Sequence, residues 1–223
     1  MQKILFTILL FGSTIVCHAQ QTDSTAIGEN EEVTFFKPDN SDPLKFGLKL
    51  GIGYSGLSGT ELHNAIGRIG INGSAYLRYR FNPKFSIQAE FGASFRGSNF
   101  NNNPAEYSSI RLYYLDMPLM LSYAFDKTKN DFVVVGLQYS YLVSSAFYIS
   151  TNALPEPTSP SFNKNDCSAI LGFQFNTPFV GFQVLGKYGL LNLNQNQPWP
   201  SAAQPANNEG YINNFSLEFN LLF

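Results

Sequence analysis

Apolar and polar side chains alternate with a period of two along most of the chain from residue 46 onward. The alternation is clearest over residues 67–96, where a turn at Asn82-Pro83-Lys84 separates two alternating runs. This period places successive side chains on opposite faces of an extended strand. Asparagine and proline favour tight turns, so the two runs predict a strand, a turn and a second strand.

The same pattern predicts eight strands. Their ranges are about 46–56, 67–81, 85–96, 110–125, 131–146, 167–177, 179–191 and 212–223. The links between them alternate in length, with short ones at 82–84, 126–130 and 176–178 and long ones at about 57–66, 97–109, 147–166 and 192–211. Short turns at one end and long loops at the other are typical of outer-membrane barrels. We therefore predict an all-β fold, an eight-stranded antiparallel transmembrane β-barrel with an up-and-down meander.

Strand length and aromatic placement favour a barrel over a soluble β-sandwich, the main alternative. Most predicted strands have about a dozen residues, whereas strands in soluble sheets usually have ~5–6. With ~3.4 Å per residue and a ~40° tilt, about a dozen residues cross the ~25 Å apolar band of the membrane. Outward aromatic residues also lie near both ends of the strands, as interfacial girdles require. They are Tyr79, Phe81, Phe85, Tyr123, Phe125 and Phe223 at one end and Phe95, Tyr113, Tyr139, Tyr141 and Phe215 at the other.

Composition agrees with a chain that meets lipid on one face. Charged residues make up 13% and aromatic residues 15%, while mean hydropathy is only −0.09. Soluble domains carry roughly 25% charged residues. The formal net charge of −2 gives no basic field for a nucleic-acid partner.

Residues 1–19 have the features of a cleaved signal peptide. Lys3 precedes an apolar run, and Cys17-His18-Ala19 offers small residues before Gln20. Val16 is too bulky to favour lipidation of Cys17. We expect residues 20–45 to form a flexible acidic lead in the periplasm and residues 46–223 to form the barrel. An even strand number then places both termini in the periplasm.

Charged residues fall on the inward parity of the predicted strands. They are Lys49, Arg78, Arg80, Glu90, Arg96, Asp116, Lys187 and Glu218. An eight-stranded barrel has an interior just wide enough for side chains to fill. We therefore expect a salt-bridged plug, with a narrow conducting or proton-relay path as the alternative.

Candidate catalytic chemistry is sparse. After signal cleavage the chain keeps one histidine, His63, near Glu61 in the first long loop, and one cysteine, Cys167. No internal disulfide and no Cys/His metal cluster can form, and we expect no cofactor. A lipid-modifying barrel enzyme that uses the loop histidine is the alternative to a solvated His63. Cys167 fits a small interface residue better than a redox group.

The chain resembles the PorT-like outer-membrane β-barrels of Bacteroidota. The resemblance rests on the Ala19-Gln20 junction, the strand Tyr114-Leu115-Asp116-Met117-Pro118-Leu119-Met120-Leu121 and the terminal Phe223. It implies insertion by the barrel assembly machinery, which reads a last strand of alternating apolar residues ending in an aromatic. The matching assembly signal is Phe215, Leu217, Phe219, Leu221 and Phe223. Some members of the family are components of the type IX secretion system.

Together these features predict a small non-enzymatic outer-membrane barrel with a plugged lumen. It would serve as an envelope scaffold or as an accessory subunit of a larger outer-membrane machine. The expected partners are outer-membrane lipid, the barrel assembly machinery during insertion, and a periplasmic or outer-membrane protein.

Overall fold

Eight antiparallel strands close into one barrel in the part of the chain that the structure describes. The computed structural model describes residues 43–59, 65–103, 106–125, 130–150, 162–177, 179–194 and 211–223. The expected signal peptide, nearly all of the acidic lead and the loop with His63 lie outside these residues. Among the described residues, no helix is both long and apolar enough to cross a membrane.

The strands follow each other around the barrel in sequence order, and each pairs with its neighbours antiparallel. They are β1 (Leu44–Gly59), β2 (Ala65–Arg80), β3 (Phe85–Asn103), β4 (Glu106–Ala124), β5 (Asp131–Ser150), β6 (Asn165–Asn176), β7 (Gly181–Gly189) and β8 (Ile212–Leu222). The predicted fold class is confirmed: an eight-stranded up-and-down barrel. Both ends of the described chain lie at the end of the barrel that carries the short turns, called here the short-turn end; the opposite end is the long-loop end.

One parity of every strand faces away from the lumen. The residues of this parity are mostly apolar, so the outer wall of the barrel is apolar. In β1, Leu48, Leu50 and Ile52 are each more than half exposed, whereas Lys49 between them is buried. Aromatic residues pair across strands near both ends of the wall. At the short-turn end the tilted rings of Phe85 and Tyr123 pack with centroids 5.0 Å apart, and at the long-loop end those of Phe95 and Tyr113 are 4.8 Å apart. The predicted inside–outside parity is therefore correct.

The prediction of a second long loop from the sequence was wrong. Residues 97–109 were expected to form a loop, but β3 runs to Asn103 and β4 begins at Glu106. The segment is rich in Asn and also contains Gly97 and Pro104, and these residue types disfavour strands on their own. Pairing with the neighbouring strand overrides that preference, since Ser98 pairs with Ile110 and Phe100 with Ser108.

Three irregularities interrupt the described ladders near the long-loop end. The register shifts between Gly67 and Asn72 in β2–β3, between Asn101 and Asn103 in β3–β4, and at Tyr113/Tyr114 in β4–β5. A bulge adds a residue to one strand and changes which side chains face the core beyond it. In β5, Leu142 and Phe147 are consequently both buried although they are five positions apart, an offset that puts two residues on opposite faces of a regular strand.

The seam between β1 and β8 closes the barrel. Eleven paired positions run from Lys49↔Leu222 to Gly59↔Ile212. Beyond them, the Phe223 N–H donates to the Leu48 carbonyl at 2.8 Å and the Leu48 N–H donates to the Phe223 carbonyl at 3.1 Å. The Tyr76 hydroxyl donates to the same Phe223 carbonyl at 3.2 Å. The last residue is thus held at the seam by its backbone, while its ring is exposed.

Candidate functional site: the filled barrel interior

The structure places the predicted inward charges inside the barrel. Seven of the eight are buried: Lys49, Arg78, Glu90, Arg96, Asp116, Lys187 and Glu218. Arg80 differs, because it lies at the short-turn end of β2 and is only partly buried. The buried charges come from β1, β2, β3, β4, β7 and β8, so the closure of the barrel brings together groups that are far apart in the sequence.

Glu90 is the centre of one hydrogen-bonded network. The Lys49 ammonium forms a buried ion pair with Glu90. The Ser74 hydroxyl donates to Glu90 Oε2 at 2.9 Å, and Gln88 Nε2 donates to Oε1 at 2.5 Å. Arg78 extends the network, since its Nε donates to Gln88 Oε1 at 2.7 Å. A buried carboxylate needs such partners to offset the loss of water.

The network continues across the lumen to the opposite wall. Arg78 Nη2 donates to Gln174 Oε1 at 2.9 Å, which joins β2 to β6. Gln183 Nε2 on β7 donates to the same oxygen at 3.3 Å. The guanidinium of Arg78 also lies 5.3 Å from the centre of the Tyr76 ring. These contacts cross the interior from side to side rather than lining an open path.

Asp116 is the centre of a second network. Arg96 Nη2 lies 2.8 Å from both carboxylate oxygens of Asp116. The Ser140 hydroxyl donates to Asp116 Oδ1 at 2.7 Å, and Gln138 Nε2 donates to the Ser140 hydroxyl at 2.8 Å. Arg96 also lies over the ring of Tyr114, with its guanidinium carbon 5.0 Å from the ring centre.

Buried charge is balanced among the described residues. A third ion pair joins Lys187 to Glu218 at 2.7 Å. The sequence prediction missed Asp166, which is fully buried on the inward face of β6 opposite Ser140. With it, four cationic side chains (Lys49, Arg78, Arg96 and Lys187) face four anionic ones (Glu90, Asp116, Asp166 and Glu218). Asp166 lies one residue before the predicted start of its strand, and only its parity with inward Ser168 could have indicated it.

Apolar side chains fill the rest of the interior, which the sequence prediction also missed. The cluster toward the long-loop end contains Leu57, Phe100, Ile110, Leu112, Tyr114, Leu142, Phe147, Phe162, Leu193 and Ile212. A smaller cluster on the β4–β7 side contains Met120, Val134, Ile170 and Leu185. The signal was present in β4, where Ile110, Leu112 and Tyr114 share the inward parity of Asp116.

Residues beyond the strand ends close the long-loop end of the lumen. Phe162 and Asn194 form an isolated bridge, and Phe162 and Leu193 are both buried. The Leu193 N–H donates to the Ile212 carbonyl at 2.9 Å, and the Asn163 N–H donates to the Leu193 carbonyl at 3.0 Å. These bonds fix the backbone beside Phe162 and Leu193, which both belong to the apolar cluster toward the long-loop end.

The cavities found beside the buried charges are very small. Two cavities of about 10 Å³ each lie beside the charged groups, one lined by Lys49, Glu90 and Lys187 and the other by Ser94 and Arg96. A cavity of that size holds about one water molecule. Glycine in the wall is part of this tight filling, because a Cβ at Gly51 would lie 2.0 Å from the Asn220 side chain.

The residues of the assembly signal form the outward parity of β8. Leu217, Phe219, Leu221 and Phe223 are exposed and Phe215 is partly exposed, whereas their neighbours Ser216, Glu218 and Asn220 are buried. Within the described ranges, no three His, Cys, Asp or Glu side chains form a group that could hold a metal ion. Cys167 lies at the start of β6, partly exposed and without a disulfide. His63 lies outside the described residues.

Comparison with known proteins gives a family match and several similar structures. A family model described as an outer membrane protein beta-barrel domain matches residues 19–195. Neisserial surface protein A (NspA) is 12% identical with a TM-score of 0.46, covering 81% of this chain and 98% of that chain. The attachment invasion locus protein Ail of Yersinia pestis is 12% identical with a TM-score of 0.39, covering 80% and 97%. OprG from Pseudomonas aeruginosa is 13% identical with a TM-score of 0.40, covering 80% and 95%. No curated protein matches significantly.

Proposed function

Because this chain belongs to the family of outer-membrane protein β-barrel domains, we propose that it acts in the outer membrane as a closed, non-enzymatic barrel. Its role is that of an envelope scaffold or an accessory subunit of a larger outer-membrane machine. In this proposal both termini face the periplasm, since an eight-stranded meander returns the chain to the end where it began.

The filled interior is the observation that carries the proposal. Three ion pairs, hydrogen bonds between opposite walls and two apolar clusters occupy the lumen. A solute would have to break buried ion pairs to pass, and breaking such a pair costs about 3–5 kcal/mol. A barrel closed in this way acts through its outer wall and its two ends, which is the behaviour of a scaffold or subunit.

The identity of the larger machine is a narrower proposal. The resemblance of the Tyr114–Leu121 strand to PorT-like barrels supports the type IX secretion system. The same strand supplies Asp116 to the interior and Leu119 to the outer wall. The residues of the motif therefore also have structural roles, on the inner face and on the outer face of the barrel. A fold family alone does not determine a partner, so this part of the proposal depends on direct partner capture.

Site-specific photo-crosslinking in the native cell tests the proposal. A photoreactive residue is placed at Lys84 and Phe179 at the short-turn end, and at Ile66 and Tyr211 at the long-loop end, all of which are exposed. The matched control is Gln138, which is fully buried in the lumen. We expect a discrete protein adduct from at least one end and none from Gln138. Folded barrel that yields no discrete protein adduct from any exposed position would contradict a subunit role.

A second measurement separates the proposal from the lipid-modifying enzyme. Cells that produce wild-type protein, His63→Ala or no protein are compared by the mass spectrum of their lipid A. We expect three identical spectra. A change in lipid A mass that depends on His63 would establish enzymatic activity and overturn the proposal of a non-enzymatic barrel.

A further inference from the structure

The outer wall carries a cavity of about 470 Å³ toward the long-loop end. It extends over four neighbouring strands, β2 to β5, and lies beside two of the three ladder irregularities, those at Gly67/Asn72 and Tyr113/Tyr114. Pockets that bind small molecules have volumes of roughly 300–1,000 Å³. Bulges bend and twist a strand locally and are common beside functional sites, so the two irregularities account for the depression in the wall.

A close approach of β2 and β3 shapes this depression. A Cβ at Gly70 would lie 1.9 Å from the Phe95 carbonyl oxygen, so only glycine fits there. On the inner side, Ser55 of β1 bonds across to β3: its hydroxyl accepts from the Gly97 N–H at 3.0 Å. The wall is therefore held in its bent form by contacts that the regular ladder does not supply.

The floor of the cavity is apolar and faces lipid. Ile69 is 73% exposed, Ile71 60% and Phe95 53%, and Tyr113 packs against Phe95. An acyl chain is the natural occupant of such a floor inside a membrane. The Phe95–Tyr113 pair belongs to the aromatic girdle, which marks the height of the lipid headgroups.

Positive charge lies at the same cavity. Arg111 lines it from β4, and its guanidinium carbon lies 4.2 Å from the centre of the Tyr148 ring on β5. Stacking on an aromatic face orients the planar guanidinium and leaves its edge for hydrogen bonding. Arg68 of β2 also lines the cavity. Arginine is well suited to phosphate, because its planar donors match two oxygens at once.

We propose that this cavity binds an anionic phospholipid of the surrounding leaflet, one whose phosphate charge is not balanced by a headgroup cation, with an acyl chain on the apolar floor and the phosphate at Arg111. The inference rests on the outer wall facing lipid, as the proposed function requires, but not on the closure of the lumen. A barrel that selects an anionic lipid would carry a bound lipid at one fixed place on its circumference.

Native mass spectrometry of the full protein tests the site. The folded barrel in mild detergent is incubated with phosphatidylglycerol or with phosphatidylcholine of the same acyl chains. We expect phosphatidylglycerol to remain bound preferentially. Arg111→Gln should lower the retained amount about tenfold, since it removes charge-assisted hydrogen bonds. Arg111→Lys should restore part of it, and Lys84→Gln at the exposed short turn is the charge-matched control.

A second variant tests space rather than charge. Ala146 lines the same cavity from β5, so Ala146→Phe should fill it and lower retention while leaving Arg111 in place. Folding of each variant is checked by its shift in electrophoretic mobility on heating. Equal retention of the two lipids by wild type, or unchanged retention by folded Arg111→Gln, would overturn the proposal. Neither result would bear on whether the lumen is closed, because conductance in a planar lipid bilayer tests closure separately.

Discussion

Among single residues of the described interior, six of the eight buried charges are joined in three ion pairs. Glu90 is the clearest case, because Lys49, Ser74 and Gln88 all bond to its carboxylate. Removing a carboxylate from such a site leaves a buried cation without compensation. Removing both partners of the pair leaves only an apolar gap, which costs less.

We therefore expect Glu90→Ala to destabilise the folded barrel by about 3–5 kcal/mol. The double variant Lys49→Met/Glu90→Leu should lose markedly less, because no unpaired charge remains. Urea unfolding of the barrel refolded into liposomes measures both free energies. If the double variant is as unstable as Glu90→Ala, the buried charge itself is not the cause of the loss.

The terminal residue separates a role in assembly from a role in stability. The Phe223 backbone bonds to Leu48 and Tyr76, whereas its ring is exposed. Phe223→Ala keeps the backbone bonds and removes only the ring. We expect less protein in outer-membrane fractions of cells but nearly unchanged heat resistance of the barrel refolded in vitro. Phe219→Ala, on the same face of β8, is the control for the loss of an aromatic ring away from the terminus.

Normal outer-membrane levels of Phe223→Ala would count against the ring as part of the assembly signal. A loss of heat resistance in vitro would instead give the ring a structural role. Deleting the whole residue cannot separate these outcomes, since it also removes two backbone hydrogen bonds at the seam.

At the scale of strands, the two faces of β4 are in different environments. Leu119 is 53% exposed on the outer wall, and its neighbours Met120 and Pro118 are buried. We expect Leu119→Arg, near the middle of the membrane, to cost about 2–4 kcal/mol. Phe125→Arg, at the short-turn end of the same face, should cost only about 0–1 kcal/mol because the interface tolerates charge. Equal stability of the two variants in liposomes would mean that this face does not cross the lipid.

Strand existence and parity could be predicted because both are local properties of the sequence. In β1, the alternation of Leu48, Lys49 and Leu50 is enough to assign the outer face and the inner face. The bounds of β3 and β4 could not be predicted in the same way. Asn and Ser near residue 100 favour a loop locally, and only pairing between the two strands makes them extended.

The composition of the interior was only partly predictable for a related reason. Charged residues on the inward parity are conspicuous, so Lys49 and Glu90 could be assigned from the sequence. Ile110 and Leu112 are apolar, and an apolar residue in a membrane barrel suggests the lipid face unless its parity is followed strictly. Phe147 was hidden further, because the irregularity at Tyr113/Tyr114 changes the parity of β5 before that residue.

For the whole molecule, both ends of the described chain lie at the short-turn end, which the proposed orientation places in the periplasm. The β2–β3 turn, where Asn82 Oδ1 accepts from the Lys84 and Phe85 N–H groups, lies at the same end as the start of β1 and the end of β8. We expect a cysteine at Lys84, in a Cys167→Ser background, to react with a membrane-impermeant maleimide only after the outer membrane is permeabilised. A cysteine at Ile66, near the opposite end, is the control and should react in intact cells. The reverse pattern would invert the proposed orientation.

In the proposed function the barrel is closed by its own side chains. Conductance of the purified, refolded protein in a planar lipid bilayer measures whether the lumen is closed, with a porin inserted in the same apparatus as the positive control. We expect no stable conductance steps, because the ion pairs of Glu90, Asp116 and Glu218 and the apolar cluster at the long-loop end block the lumen. Reproducible porin-like steps from the wild-type barrel would show that the lumen is open and would overturn the proposed closed barrel.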